Sequence, residues 1–89
     1  MLPSPHPGVM FQLVGDGAVL LHTQEEIYFG LNSVGARVWQ MLPPNCLELD
    51  DVCASLAATY PGVDARMIRA DVDELLEQLR VHHLVVDHN

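Results

Sequence analysis

The chain has 89 residues, which limits it to one domain near the lower bound at which a single apolar core holds a fold without metals or disulfides. Hydrophobic residues make up 49% and charged residues 18%, a balance that belongs to a folded domain and excludes a disordered chain. Twelve acids against four bases, all arginine (Arg37, Arg66, Arg69, Arg80), leave a net charge of −8. Such a field keeps a small protein soluble, repels nucleic acid and anionic membrane, and attracts cationic partners.

The opening "MLPSPHPG" carries three prolines in eight residues. Proline removes backbone donors and disfavours both helix and ladder, so residues 1–8 are expected to be a flexible tail, with the domain running over 9–86 and a short C-terminal tail at 87–89. The opening has neither a charged n-region nor an apolar h-region, and no apolar run approaches the roughly 20 residues of a membrane span. The expectation is a cytoplasmic protein with Cys46 and Cys53 as reduced thiols.

"VMFQLV" places Val9, Phe11 and Leu13 on one side of an extended segment, and "GDG" at Gly15 to Gly17 offers the positive-φ positions of a tight hairpin turn. The second arm is "AVLLHT", Ala18 to Thr23, apolar on both faces as a middle strand is. After the polar turn "QEE", "IYFG" supplies β-branched and aromatic residues for a third strand.

From Val34 the period changes. Val34, Val38, Met41 and Leu42 stand at i, i+4, i+7 and i+8 beside Trp39, with Asn32 or Ser33 as the cap and Pro43 and Pro44 as the stop. A second helix reads from about Glu48 to Tyr60, with Asp50 and Asp51 in its first turn, where the macrodipole favours them. Asp64 caps a third helix, Val63 can staple onto Ile68, and Ile68, Val72, Leu75, Leu76 and Leu79 form its buried stripe through about Arg80. "HLVV", His83 to Val86, either lies against the sheet or finishes the helix packing. The predicted fold class is α+β, a three-stranded antiparallel sheet followed by three helices in the order βββααα, a winged-helix-like arrangement.

Chemistry is sparse. Cys46 and Cys53 are seven residues apart, and His82, His83 and His88 lack the spacing of a structural zinc site, so neither a metal nor another cofactor is expected. There is no G-x-S-x-G, no H-E-x-x-H and no phosphate loop, and Asp71, Asp73, Glu74 and Glu77 read as the solvated face of a helix. No catalytic residue is assigned, and the chain is expected not to be an enzyme. Winged helices that read DNA do so with a basic helix; here three arginines face four carboxylates within a −8 chain, which excludes that role.

One feature asks for a partner. The third strand ends the sheet, and "IYFG" holds neither proline nor lysine and ends in Gly30, where another backbone can approach closely. An open edge of this kind is suited to strand addition by a peptide.

The run "GAVLLHTQEEIYFGLNSVGARVWQML", then "LAATYPGVD" and "IRADVDELLEQLRVHHLV", resembles the PqqD-like proteins, also called RiPP recognition elements, over Gly17 to Val86. The resemblance implies the fold just derived and a role in binding the leader of a ribosomally made precursor peptide. The leader would add as a strand at Glu26, Ile27, Tyr28, Phe29 and Gly30 and pack against Met67, Ile68, Asp71, Val72 and Leu75. The form "YFGLNSVGARVW" is most similar to the stand-alone recognition proteins of split lasso-peptide systems. The partners implied are the leader peptide, a separate leader protease and a cyclase. The alternative is a peptide chaperone that delivers a precursor to a radical enzyme in pyrroloquinoline quinone synthesis.

Overall fold

A computed structural model describes residues 1–87. In chain order the elements are β1 (Ser4–Pro5), β2 (Val9–Val14), β3 (Gly17–His22), β4 (Ile27–Leu31), α1 (Ser33–Met41), α2 (Leu49–Thr59), α3 (Ala65–Val81) and β5 (Val85–Val86). The expected three antiparallel strands and three helices are present, with sheet order β2-β3-β4. A second, two-stranded sheet joins β1 to β5.

The β2–β3 hairpin turns on two residues, Gly15 and Asp16, between the paired Val14 and Gly17. Gly15 has φ 62°, the left-handed conformation that the first position of such a turn needs and that a side chain would strain. Gly17 is required for a different reason: a Cβ there would collide with the carbonyl oxygen of Leu31 on β4. Ala18, Leu20 and His22 of the middle strand are buried beneath the helices, as are Leu31 of β4, Val38 and Trp39 of α1, Val52 and Leu56 of α2, and Ile68, Val72, Leu76 and Leu79 of α3.

The helix ends follow their local chemistry. Asn32, of the two candidate caps, takes the role on α1, its Oδ1 accepting from Gly35 N at 2.8 Å. Asp64 caps α3 by accepting from Arg66 N at 2.7 Å, while Glu48 at the start of α2 makes no side-chain cap. At the other end of α3 the backbone N–H groups of His83 and Leu84 donate to the carbonyls of Arg80 and Leu79, and His83 takes φ 60°. This is a Schellman ending with histidine in the left-handed position, closed by the fully buried Leu79 and Leu84.

The N-terminus corrects the expectation of a flexible tail at residues 1–8. Leu2 is 3% exposed and its N–H donates to Leu47 O at 2.8 Å, Ser4 and Pro5 pair with Val86 and Val85, and His6 N donates to Leu84 O at 3.0 Å. "HLVV" finishes the helix packing, with Leu84 and Val85 buried in the core at the end of α3, and its last two residues are also the strand that holds the N-terminal segment. Of the C-terminal tail expected at 87–89, Asp87 accepts an ion pair from Arg80 at 3.1 Å, and residues 88–89, with His88, lie outside the described residues.

Candidate functional site

The pairing register fixes which backbone groups are open on β4. A two-residue turn closes on a hydrogen-bonded pair, so Val14 and Gly17 exchange bonds, and alternation then directs the polar groups of Gly17, Val19 and Leu21 toward β2. Those of Ala18, Leu20 and His22 point the other way and bond to their partners Leu31, Phe29 and Ile27. The N–H and C=O groups of Tyr28 and Gly30 are left facing outward at the sheet edge.

Beside that edge lies a cleft of about 420 Å³ between β4, the start of α1 and the middle of α3. Phe29 and Leu31 reach it from the strand, Val34 and Val38 from α1, and Val72 and Leu75 from α3. Asn32, Asp71, Glu74 and Gln78 supply polar groups around this apolar lining. Phe29 is held from behind by His82, ring centroids 5.3 Å apart, and His82 Nδ1 lies 2.8 Å from Gln78 O, which fixes the imidazole over the phenyl ring.

Of the residues expected to bind a peptide, Phe29, Gly30, Asp71, Val72 and Leu75 are brought together on this cleft. Tyr28 is 73% exposed with its side chain on the far face of the sheet, so its contribution to the edge is its backbone. Ile27 is half-buried beside the turn, and Glu26 occupies the turn itself at φ 55°, its N–H bonded to His22 O. Met67 and Ile68 lie one helical turn before the cleft wall on α3; Met67 is exposed and Ile68 is core. The reading from sequence missed Leu31, Asn32, Val34, Gly35, Val38, Glu74 and Gln78. The i, i+3, i+4, i+7 spacing of Asp71, Glu74, Leu75 and Gln78 carries that signal for α3, and the cap residue Asn32 marks where α1 meets the edge.

The end of the edge nearest the β3–β4 turn is held by a polar cluster. His22 is buried, its Nδ1 accepts from Glu25 N at 3.4 Å, and its ring lies 4.5 Å from that of His6. Glu25 reaches His83 Nδ1 at 3.2 Å, tying the turn to the end of α3. Cys53 lies across the molecule on α2, where burial pushes its thiol upward from its ordinary value, with Asp73 and Asp50 adding to the effect and Arg69 opposing it. Among the described residues no group of His, Cys, Asp or Glu is arranged to hold a metal ion, and no helix is long and apolar enough to cross a membrane.

The family model described as Coenzyme PQQ synthesis protein D (PqqD) matches residues 17–85. The chain is also similar to a solved structure, TbiB1 in complex with the TbiA(beta) leader peptide, at 28% identity and a TM-score of 0.84, with 97% of this chain and 98% of that chain covered. No curated protein matches the sequence.

Proposed function

The chain belongs to the PqqD family, and from that premise we propose that it binds the leader segment of a ribosomally made precursor peptide by strand addition at Tyr28 and Gly30. The observation that carries this reading is the open β4 edge running beside an apolar cleft. Backbone bonds at the edge supply affinity for any extended chain, and the cleft selects the side chains that alternate toward it. The likeness to a protein solved with a leader peptide supports the same reading.

The leader's cleft-facing residues are apolar, filling the space between Phe29, Leu31, Val34 and Leu75, and a basic residue suits the rim at Asp71 and Glu74. Binding of this kind needs no catalytic group. The protein acts as an adaptor: it holds the leader on one surface while a separate leader protease and a cyclase act on the tethered precursor, at an effective concentration that a short linker raises to about the mM range. Delivery to a radical enzyme of pyrroloquinoline quinone synthesis is the second reading, favoured by the family that the sequence matches.

The test is cleavage of a leader-bearing precursor by the separate leader protease that this reading requires. Cleavage should be slow without this chain, recover on its addition, and fall when free leader is in excess. Stimulation that persists under saturating free leader would remove the adaptor role.

A further inference from the structure

Phe29 faces the cleft from between two residues of β4 whose backbone groups are open to the edge, Tyr28 and Gly30, while its own groups point inward to Leu20. A peptide strand added antiparallel to β4 therefore meets Phe29 in a non-hydrogen-bonded pair, the kind in which the two Cα atoms approach to about 4.5 Å and the side chains lie closest. Paired residues share a face, so the leader side chain opposite Phe29 is turned toward the cleft with it. On that face the half-buried Phe29 has a strand neighbour on one side only, Leu20.

The end of α3 holds its ring. Asp71, Leu75 and Gln78 line the cleft, and the next position of that stripe, four residues on, is His82. The rings of Phe29 and His82 lie 5.3 Å apart with their planes at 59°, the tilted arrangement that aromatic pairs favour. The imidazole is fixed in turn. Gln78 O can only accept, so His82 Nδ1 carries the hydrogen and donates to it at 2.8 Å, beside the backbone N–H of His82 at 3.1 Å. His83, at φ 60°, ends the helix immediately afterwards and reaches Glu25 Oε1 at 3.2 Å, which ties the same end of α3 to the turn before β4.

We propose that His82 is a positioning residue for leader recognition: it holds the Phe29 ring against which one leader side chain packs, and so sets the preference for a large apolar residue at that single leader position. This role rests on the leader-binding reading and acts through Phe29. Without the imidazole, the phenyl ring gains freedom that binding must then remove, and the surface offered to the leader is no longer fixed in advance.

Fluorescence anisotropy with a fluorescein-labelled synthetic peptide of the precursor's leader reads affinity, and urea unfolding reads the fold. His82→Ala should bind about 3- to 10-fold more weakly, the worth of one aromatic pair. His82→Phe returns a ring to the side of Phe29 and should bind within about 2-fold of the wild type. His82→Asn keeps an amide donor for the Gln78 carbonyl but has no ring; it should hold the wild-type urea midpoint yet bind as weakly as His82→Ala, a split that a role in ending the helix alone would not give. Alanine scanning of the peptide should find one position at which the wild type and His82→Ala no longer differ. Wild-type affinity in folded His82→Ala or His82→Asn overturns the proposal, as does a loss in His82→Ala that persists unchanged at every scanned position. A wild-type chain that does not bind the peptide overturns the leader reading itself, and that result is distinct because it appears before any variant is made.

Discussion

Proline substitution along β4 separates the outward backbone groups from the inward ones. The register directs the N–H of Tyr28 and Gly30 to the open edge and that of Phe29 to Leu20. Tyr28→Pro removes an outward donor and sets the pyrrolidine ring where an added strand would lie, while the lost side chain is 73% exposed and carries little packing. The lost hydrogen bond is worth about 0.5–1.5 kcal/mol, and the leader carbonyl left without a partner costs about 1–3 kcal/mol more. A loss near 2–3 kcal/mol is a roughly 30- to 150-fold weaker Kd. Gly30→Pro should behave alike.

Phe29→Pro takes a ladder bond from the sheet, worth about 0.5–1.5 kcal/mol, and removes a partly buried ring, so it should lower stability by about 2 kcal/mol or more before binding is considered. Calorimetric titration of a synthetic leader, with thermal unfolding of each variant, reads both quantities. Leader binding at wild-type affinity by folded Tyr28→Pro and Gly30→Pro would refute the edge assignment. A Phe29→Pro chain as stable as the wild type would refute the register from which it was derived.

Gly17→Ala and Gly30→Ala should diverge. A Cβ at Gly17 meets the Leu31 carbonyl, and the forced shift is expected to cost about 1–3 kcal/mol, whereas a Cβ at Gly30 meets nothing within 4 Å and should change the unfolding free energy by less than about 0.5 kcal/mol. Leu2→Ala should lower stability by about 2–5 kcal/mol, since Leu2 is 3% exposed; an unfolding midpoint in urea equal to that of the wild type would show the N-terminal segment to be unpacked. Burial favours the neutral Cys53 thiol, and the thiolate is the reactive form, so its alkylation should be slow near neutral pH and accelerate only above the ordinary thiol range. A rate–pH midpoint at or below that range, followed by mass spectrometry of the peptide carrying Cys53, would contradict the burial.

What the sequence made legible was local. Asp64 accepts from Arg66 N as a cap should, the period change at Val34 is a helix, and "GDG" is a hairpin turn, because each depends on a few adjacent residues. The cleft was legible by halves. Asp71, Val72 and Leu75 carry a helical stripe that one segment displays by itself, whereas Leu31, Val34 and Val38 become cleft residues only when β4 and α1 are brought together over the shared core. Met67 and Ile68 continue the α3 stripe by one turn, and nothing in the periodicity marks where the neighbouring strand stops covering it.

The N-terminal segment shows how a correct local rule can lead to the wrong element. Three prolines in eight residues do remove donors, yet they stand at positions 3, 5 and 7, a period of two. The N–H groups of Leu2 and His6, at alternate positions, both donate inward, to Leu47 and Leu84. In an extended chain the intervening positions face the opposite way, so the missing donors lie on the side that has no partner strand among the described residues. Proline is tolerated on such an edge and protects it from further pairing. The spacing of the prolines, rather than their number, is what distinguishes a guarded edge strand from a tail. By the same reasoning β4, which carries no such guard, is a place where this small sheet can still accept a neighbour.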